Sequence, residues 1–196
     1  MFEALFALIT TTALLLGSPG PAPLALAATG ATFGIKKGSP FLFGILTGLS
    51  VAILGAVVGL GALFSQFPSA KLVCQLIGAA YILYVAYKIA SAPVITNQQA
   101  QMAPSFKDGF ILNLLNPKAY AAFLAIFSQF LLPFENSFVG YLLTGLTCLL
   151  VATVVDCLWL AFGGLLRPIF AKPKQARFIR VFFAIAMIVA VVYALP

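Results

Sequence analysis

The chain has 196 residues, of which 63% are apolar and only 8% charged, and it carries a formal charge of +7 with no histidine. A soluble domain carries about 25% charged residues, so water is not the main solvent of this one. Its length accommodates six membrane-spanning helices of about 20 residues each and little besides, so one domain with short loops and no soluble catalytic module is expected.

Apolar runs at residues 2–33, 40–64, 70–91, 109–132, 138–164 and 179–195 predict six spans in a single transmembrane domain, 1–196. Within the first run, Ala4 to Leu16 has the length of a signal-peptide core. Glu3 is its only early charge, where a signal would begin with basic residues, so the stretch is expected to belong to the membrane domain. As one helix this run of about 30 residues would be about 45 Å long, against a hydrocarbon core of about 30 Å, so a break or a strong tilt is predicted. The break is expected at Gly17-Ser18-Pro19-Gly20-Pro21-Ala22-Pro23.

The second run spaces Gly44 from Gly48, and Gly55 from Gly59, in the small-xxx-small pattern that lets helix backbones approach in lipid. Tyr81, Tyr84 and Tyr87 recur every three residues in the third run and read as interfacial anchors or packing. The connection 93–107 is rich in Gln, Asn and Pro and separates a first three-helix repeat, 1–92, from a second, 108–196. Three is odd, so related halves would lie in opposite orientations. The predicted fold is therefore all-α and integral to the membrane, with two inverted repeats and broken helices in spans 1 and 4.

The second break is expected at Asn113-Leu114-Leu115-Asn116-Pro117-Lys118. Proline inside a helix removes a donor and clashes with the preceding turn, at a cost of about 3 kcal/mol or more. In a bilayer the freed backbone groups need protein or a watery cavity, and paired breaks in corresponding spans point to a transporter's binding site. Asn113 and Asn116 lie three apart, on one face, with amides to offer a solute or a freed carbonyl.

Two charges stand inside apolar runs, Lys118 in the fourth and Asp156 in the fifth. Intramembrane charges face a cavity or a partner, and counting from the run ends puts both at a depth of about 12–14 Å, where they can meet. Asp156 is expected to bind a substrate ammonium or a coupling proton, and Lys118 a carboxylate. The competing reading is a static ion pair, or a lysine that snorkels to the surface. Tyr120 and Trp159 lie within one turn of these charges and either line the pocket or pack.

Lys36, Lys37, Lys88, Lys107, Arg167, Lys172, Lys174, Arg177 and Arg180 fall in the odd-numbered connections, while the even ones offer Lys71 and Glu135. This asymmetry places the odd loops in the cytoplasm and both termini outside. Confined to connections and lacking an interleaved aromatic face, the basic residues read as topology signals rather than as a nucleic-acid surface. Cys74, Cys148 and Cys157 sit in apolar runs with no CxxC pair, which leaves a disulfide framework or thiolate metal site without support. No cofactor and no resident metal are expected. Two alternatives share the six-helix plan: a membrane thiol oxidoreductase would need a reactive cysteine pair, and a heavy-metal exporter would need soft ligands.

With these motifs the chain resembles the LysE/RhtB family of amino-acid exporters. The resemblance rests on Ser18-Pro19-Gly20-Pro21, on Gly34-Ile35-Lys36-Lys37-Gly38, and on Gly78-Ala79-Ala80-Tyr81-Ile82-Leu83-Tyr84. Most specific is Phe106-Lys107-Asp108-Gly109-Phe110 leading into Asn113-Leu114-Leu115-Asn116-Pro117-Lys118. It covers residues 18 to about 130, and beyond that only hydropathy and length match. The resemblance implies a non-enzymatic secondary exporter of amino acids or similar metabolites in a bacterial-type inner membrane, coupled to a proton or cation. Its motif positions map onto Pro19, Gly20, Pro21, Asn113, Asn116, Pro117 and Lys118. Asp156 joins them from its place inside a span, not from the motif. The glycine-spaced helices permit a homodimer without requiring one.

Overall fold

A computed structural model describes residues 1–59, 102–170 and 173–194, with scattered positions between 66 and 91. Most of the expected third span, and residues 93–101 of the expected linker, lie outside the described residues. The described residues form helices α1 (Phe2–Gly17), α2 (Pro21–Phe33), α3 (Ile35–Val58), α4 (Phe106–Leu114), α5 (Pro117–Gln129), α6 (Ser137–Phe170) and α7 (Pro173–Ala194).

Both expected breaks are present. α1 meets α2 at a bend of 65°, and α4 meets α5 at 58°. The cause is local and is the same in both places. Pro21 and Pro117 each occupy the first turn of the helix that follows, where a missing N–H costs nothing. The residue before a proline is pushed out of the helical region, and accordingly Gly20 and Asn116 are extended. Among the described residues α3 and α6 are continuous apolar spans, and counting each bent pair as one span brings the total to four.

Several boundaries differ from the sequence expectation, among them the start of α7, which lies at Pro173 rather than near 179. α3 begins at Ile35 rather than near 40, because Gly34 (φ 81°, ψ 169°) is by itself the hinge between α2 and α3. Lys36 and Lys37 therefore lie in a helical first turn instead of a loop. α4 begins at Phe106, not 109, started by a reciprocal capping box in which the Ser105 side chain accepts from the Asp108 N–H and the Asp108 carboxylate from the Ser105 N–H. α6 continues past 164 to Phe170, and its apolar stretch ends at Leu165.

The halves interlock through glycine. α2 packs along α6, and α3 along α4. A Cβ on Gly30 would come 2.9 Å from the Gly164 nitrogen, and one on Gly163 would come 2.7 Å from the Ala27 carbonyl carbon. In the second seam a Cβ on Gly44 would lie 2.8 Å from the Phe110 nitrogen, and one on Gly109 3.0 Å from the Ile45 nitrogen. Only a hydrogen fits at these four positions, so backbone lies on backbone, the contact that holds helices together where lipid removes the hydrophobic drive. Gly48 belongs to the α3–α4 seam as well. Gly59 has another use: with φ 98° and open space around it, it ends α3.

α6 shows how the bundle sorts its faces. Leu146, Leu150, Val154, Leu158 and Phe162 recur every fourth residue and are exposed, whereas Cys148, Ala152, Asp156 and Leu160 recur at the same spacing and are buried. The apolar side faces outward, as a lipid solvent requires. Inside, the apolar side chains form two clusters. One joins α2 to Phe41, Leu42, Ile45, Leu112 and Leu160. The other joins Leu8, Leu49, Ile53, Phe123, Ile126, Phe127 and Cys148.

Candidate functional site

A small cavity opens where the two breaks meet. Its wall takes Ala22 from the first apolar cluster and Leu49, Ala119 and Ala152 from the second, with Leu16 and Pro23 beside them. Its polar lining is Asn113, Asn116, Lys118 and Asp156. Four of the eight residues expected from the sequence thus share one cavity, with Lys118 and Asp156 drawn from different spans. The other four shape the breaks: Pro21 and Pro117 open α2 and α5, Gly20 lies against Lys118, and Pro19 is exposed.

Asn113 is 1% exposed, and among the described residues its amide nitrogen has no hydrogen-bond partner. A buried donor left unpaired costs about 1–3 kcal/mol, so this amide is a standing cost unless something enters the cavity to accept from it. Asn116, also buried, accepts from the Lys118 backbone N–H and so caps α5. Asp156 is 6% exposed and interacts through space with Lys118. A carboxylate at that depth, in an apolar bundle, needs a cationic or donor partner within the same cavity.

Lys118 does not reach toward Asp156 for its hydrogen bonds. Its Nζ donates to the Ser18 carbonyl at 2.6 Å and to the Ser18 Oγ at 2.8 Å. The indole Nε1 of Trp159 donates to the Gly17 carbonyl at 3.1 Å. The last carbonyls of α1, freed by the break, are therefore satisfied by two side chains of the other half. At the second break the freed Leu114 carbonyl accepts locally, from the Tyr120 hydroxyl at 2.8 Å.

At the start of α2 the geometry offers one more donor. Pro21 and Pro23 have no N–H, and no side chain caps this end. The Ala22 N–H stands between them in a first turn, where no intrahelical acceptor exists. The cavity thus gathers donors at Asn113, Lys118 and Ala22 and a single carboxylate at Asp156, enclosed by small apolar side chains.

Sequence reasoning placed the charges and asparagines but missed Ser18 as the acceptor for Lys118, and the Trp159 bond to Gly17. The available signal was a helix ending in open carbonyls, since such an end must find donors somewhere in a bilayer. Of the cysteines, Cys148 is buried beside the Thr12 hydroxyl at 3.6 Å and Cys157 is exposed on the far face of α6. Cys74 lies outside the described residues.

Broken helices meeting at a polar layer inside an apolar bundle are an arrangement that secondary transporters use to build a binding site. Residues 13–195 match the family described as LysE type translocator, and the chain belongs to that family of transporters. It is 31% identical over 181 residues to a homoserine/homoserine lactone efflux protein of Salmonella typhimurium, covering 90% of this chain and 88% of the relative. It is 28% identical over 169 residues to a leucine efflux protein of Enterobacter sp., covering 80% and 77%. An uncharacterized membrane protein of Pseudomonas aeruginosa is 31% identical over 157 residues, covering 74% and 70%. No solved structure matches the chain.

Proposed function

We propose that the chain is a secondary exporter of amino acids or closely related small metabolites, working in the inner membrane by exchange against a proton or cation. The observation that carries this reading is the unpartnered Asn113 amide, buried in one cavity with Asp156 and Lys118. A zwitterion answers that arrangement: its ammonium pairs with Asp156, and its carboxylate accepts from Asn113, from the free N–H of Ala22 and from Lys118. The side chain then lies against Leu16, Leu49 and Ala152. The efflux proteins among the relatives support the same class of cargo.

The cavity measures about 20 Å³, and a single water needs about 10–15 Å³ on this measure. An amino acid requires the walls to part, as alternating access demands. The matched breaks support two inverted three-helix repeats, 1–92 and 108–196, joined by a cytoplasmic linker at 93–107. The basic connections support termini that face away from the cytoplasm. A dimer through lipid-facing helices is compatible with the fold.

Counterflow in proteoliposomes tests this. Vesicles loaded with one amino acid at a time should accumulate labelled tracer for one substrate class, and Asp156→Asn should abolish exchange in protein that remains folded. Exchange that is unchanged in Asp156→Asn would remove the aspartate from the site. Absence of exchange across all amino acids and their lactones would overturn the cargo.

A further inference from the structure

The end of α1 is a cation site that this chain fills from within. α1 terminates at Gly17 with its carbonyls facing the break, and such an end carries the equivalent of about half a negative charge. The Lys118 ammonium sits on it, through the Ser18 carbonyl at 2.6 Å and the Ser18 hydroxyl at 2.8 Å. Lys118 itself belongs to the first turn of α5, directly after Pro117. A cation there lies at the positive end of its own helix, the unfavourable place for it. Its charge is therefore matched to α1, across the repeat boundary, and not to the helix that carries it.

The path of the side chain is fitted to this role. A Cβ on Gly20 would lie 2.9 Å from Lys118 Cδ and 3.0 Å from Nζ, so the lysine passes over a residue that has none. Gly20 is extended, with φ −170° and ψ 178°, a conformation open to any residue. Room for the lysine, rather than backbone freedom, is what makes position 20 a glycine.

We infer that Lys118 is a tethered cation, which uses two of its three N–H donors to hold the broken end of α1 and keeps the third for an anionic group in the cavity. Lys118 is thus a positioning residue for the break as well as a ligand. A free monovalent cation has no place at this helix end while the lysine occupies it. The third donor serves the substrate carboxylate in the exporter reading, and only that part of the inference rests on that reading.

Lys118→Ala removes a fragment equivalent to n-propylammonium, so the purified variant should take that ion back. The readout is thermal melting in detergent, which is independent of any transported substrate. The variant should melt below the wild type, and propylammonium should raise its midpoint by about 2–4 °C in a saturable manner while leaving the wild type unmoved. Tetramethylammonium, which has no N–H to donate, and sodium are the comparison ions. A rise with propylammonium alone supports the tether. No rise, an equal rise with either comparison ion, or an equal rise in the wild type overturns it. Should Lys118→Ala fail to fold, Lys118→Met keeps the side chain to within its terminal atom but without its charge, and wild-type stability in that variant would overturn the inference. A second arm uses Gly20→Ala, which should destabilise the wild type but cost nothing beside Lys118→Ala, where the obstructing Cδ and Nζ are gone; an equal cost in both backgrounds would place the obstruction elsewhere. In proteoliposomes that show exchange, Lys118→Ala should lose at least about tenfold in rate, the size expected for one charge-assisted hydrogen bond, with partial recovery in propylammonium.

Discussion

The seam between α2 and α6 makes a quantitative prediction about how its two glycines act together. In Gly30→Ala the new methyl would lie 2.9 Å from the Gly164 nitrogen and 3.1 Å from the Leu160 carbonyl carbon. In Gly163→Ala it would lie 2.7 Å from the Ala27 carbonyl carbon and 2.8 Å from its Cα. Ordinary contact begins near 3.4 Å. Backbone cannot swing aside as a side chain does, so the helices must part by at least about 0.7 Å, and overpacking of this kind costs about 1–3 kcal/mol. Both methyls enter the same seam, so the separation that admits one largely admits the other. The double variant should therefore cost about as much as the worse single one, with a coupling energy of about 1–3 kcal/mol. Gly30→Ala combined with Gly44→Ala, which loads the separate α3–α4 seam, should instead be additive within about 0.5 kcal/mol. Equilibrium unfolding by SDS titration in mixed micelles, followed by far-UV circular dichroism, measures both cycles. Additivity of Gly30→Ala with Gly163→Ala would refute the shared seam, and single costs below about 0.5 kcal/mol would refute backbone contact at it.

Two further expectations concern local structure. Gly34 and Gly59 both have positive φ but should respond differently to substitution: at Gly34 (φ 81°, ψ 169°) alanine and asparagine should each cost about 1–3 kcal/mol, because that region is open essentially to glycine alone. At Gly59 (φ 98°, ψ 29°) alanine should cost about 1–2 kcal/mol and asparagine less, a difference the same unfolding titration resolves. Ser105→Ala removes one arm of the capping box and should weaken the start of α4 by about 0.5–2 kcal/mol, seen as faster amide exchange at residues 107–109 with no change in α6.

The parts of this molecule that were legible in the sequence are those where a residue contradicts its surroundings. Pro21 and Pro117 contradict a helix, Lys118 and Asp156 contradict an apolar run, and each contradiction marked a feature that the structure contains. Other features were illegible because they depend on a partner far along the chain. Gly109 and Gly163 have no glycine four residues away to mark them, and Gly30 has one only in Gly34, outside its apolar run; the close neighbours of all three are backbone atoms of a helix in the other half. Lys118 looked like a partner for Asp156 because charge is visible in a sequence, whereas the open carbonyls of α1 that hold it are present in every helix end. Gly34 was hidden by its neighbours: two lysines read as a loop, although a hinge of one residue let them enter α3.

The two ends of the bundle differ in what opening them requires. α2 and α4 are held by seams in which one backbone lies on another, beside Lys36, Lys37 and Lys107. At the opposite end, α1 and α5 meet α3 and α6 through side chains, among them Leu8, Phe123, Ile126 and Phe127. A wall of side chains can part by rotamer changes and small tilts. A glycine seam offers no rotamer to change, so it opens only if a whole helix moves, with loss of all its close contacts together. In the exporter reading the basic end faces the cytoplasm, where cargo enters. Loading the site then requires the larger, rigid-body step, and release on the far side the smaller one. The bends at Ser18 and Leu115 supply the hinges for the larger step, because α2 and α4 can each swing about a break while α1 and α5 keep their packing.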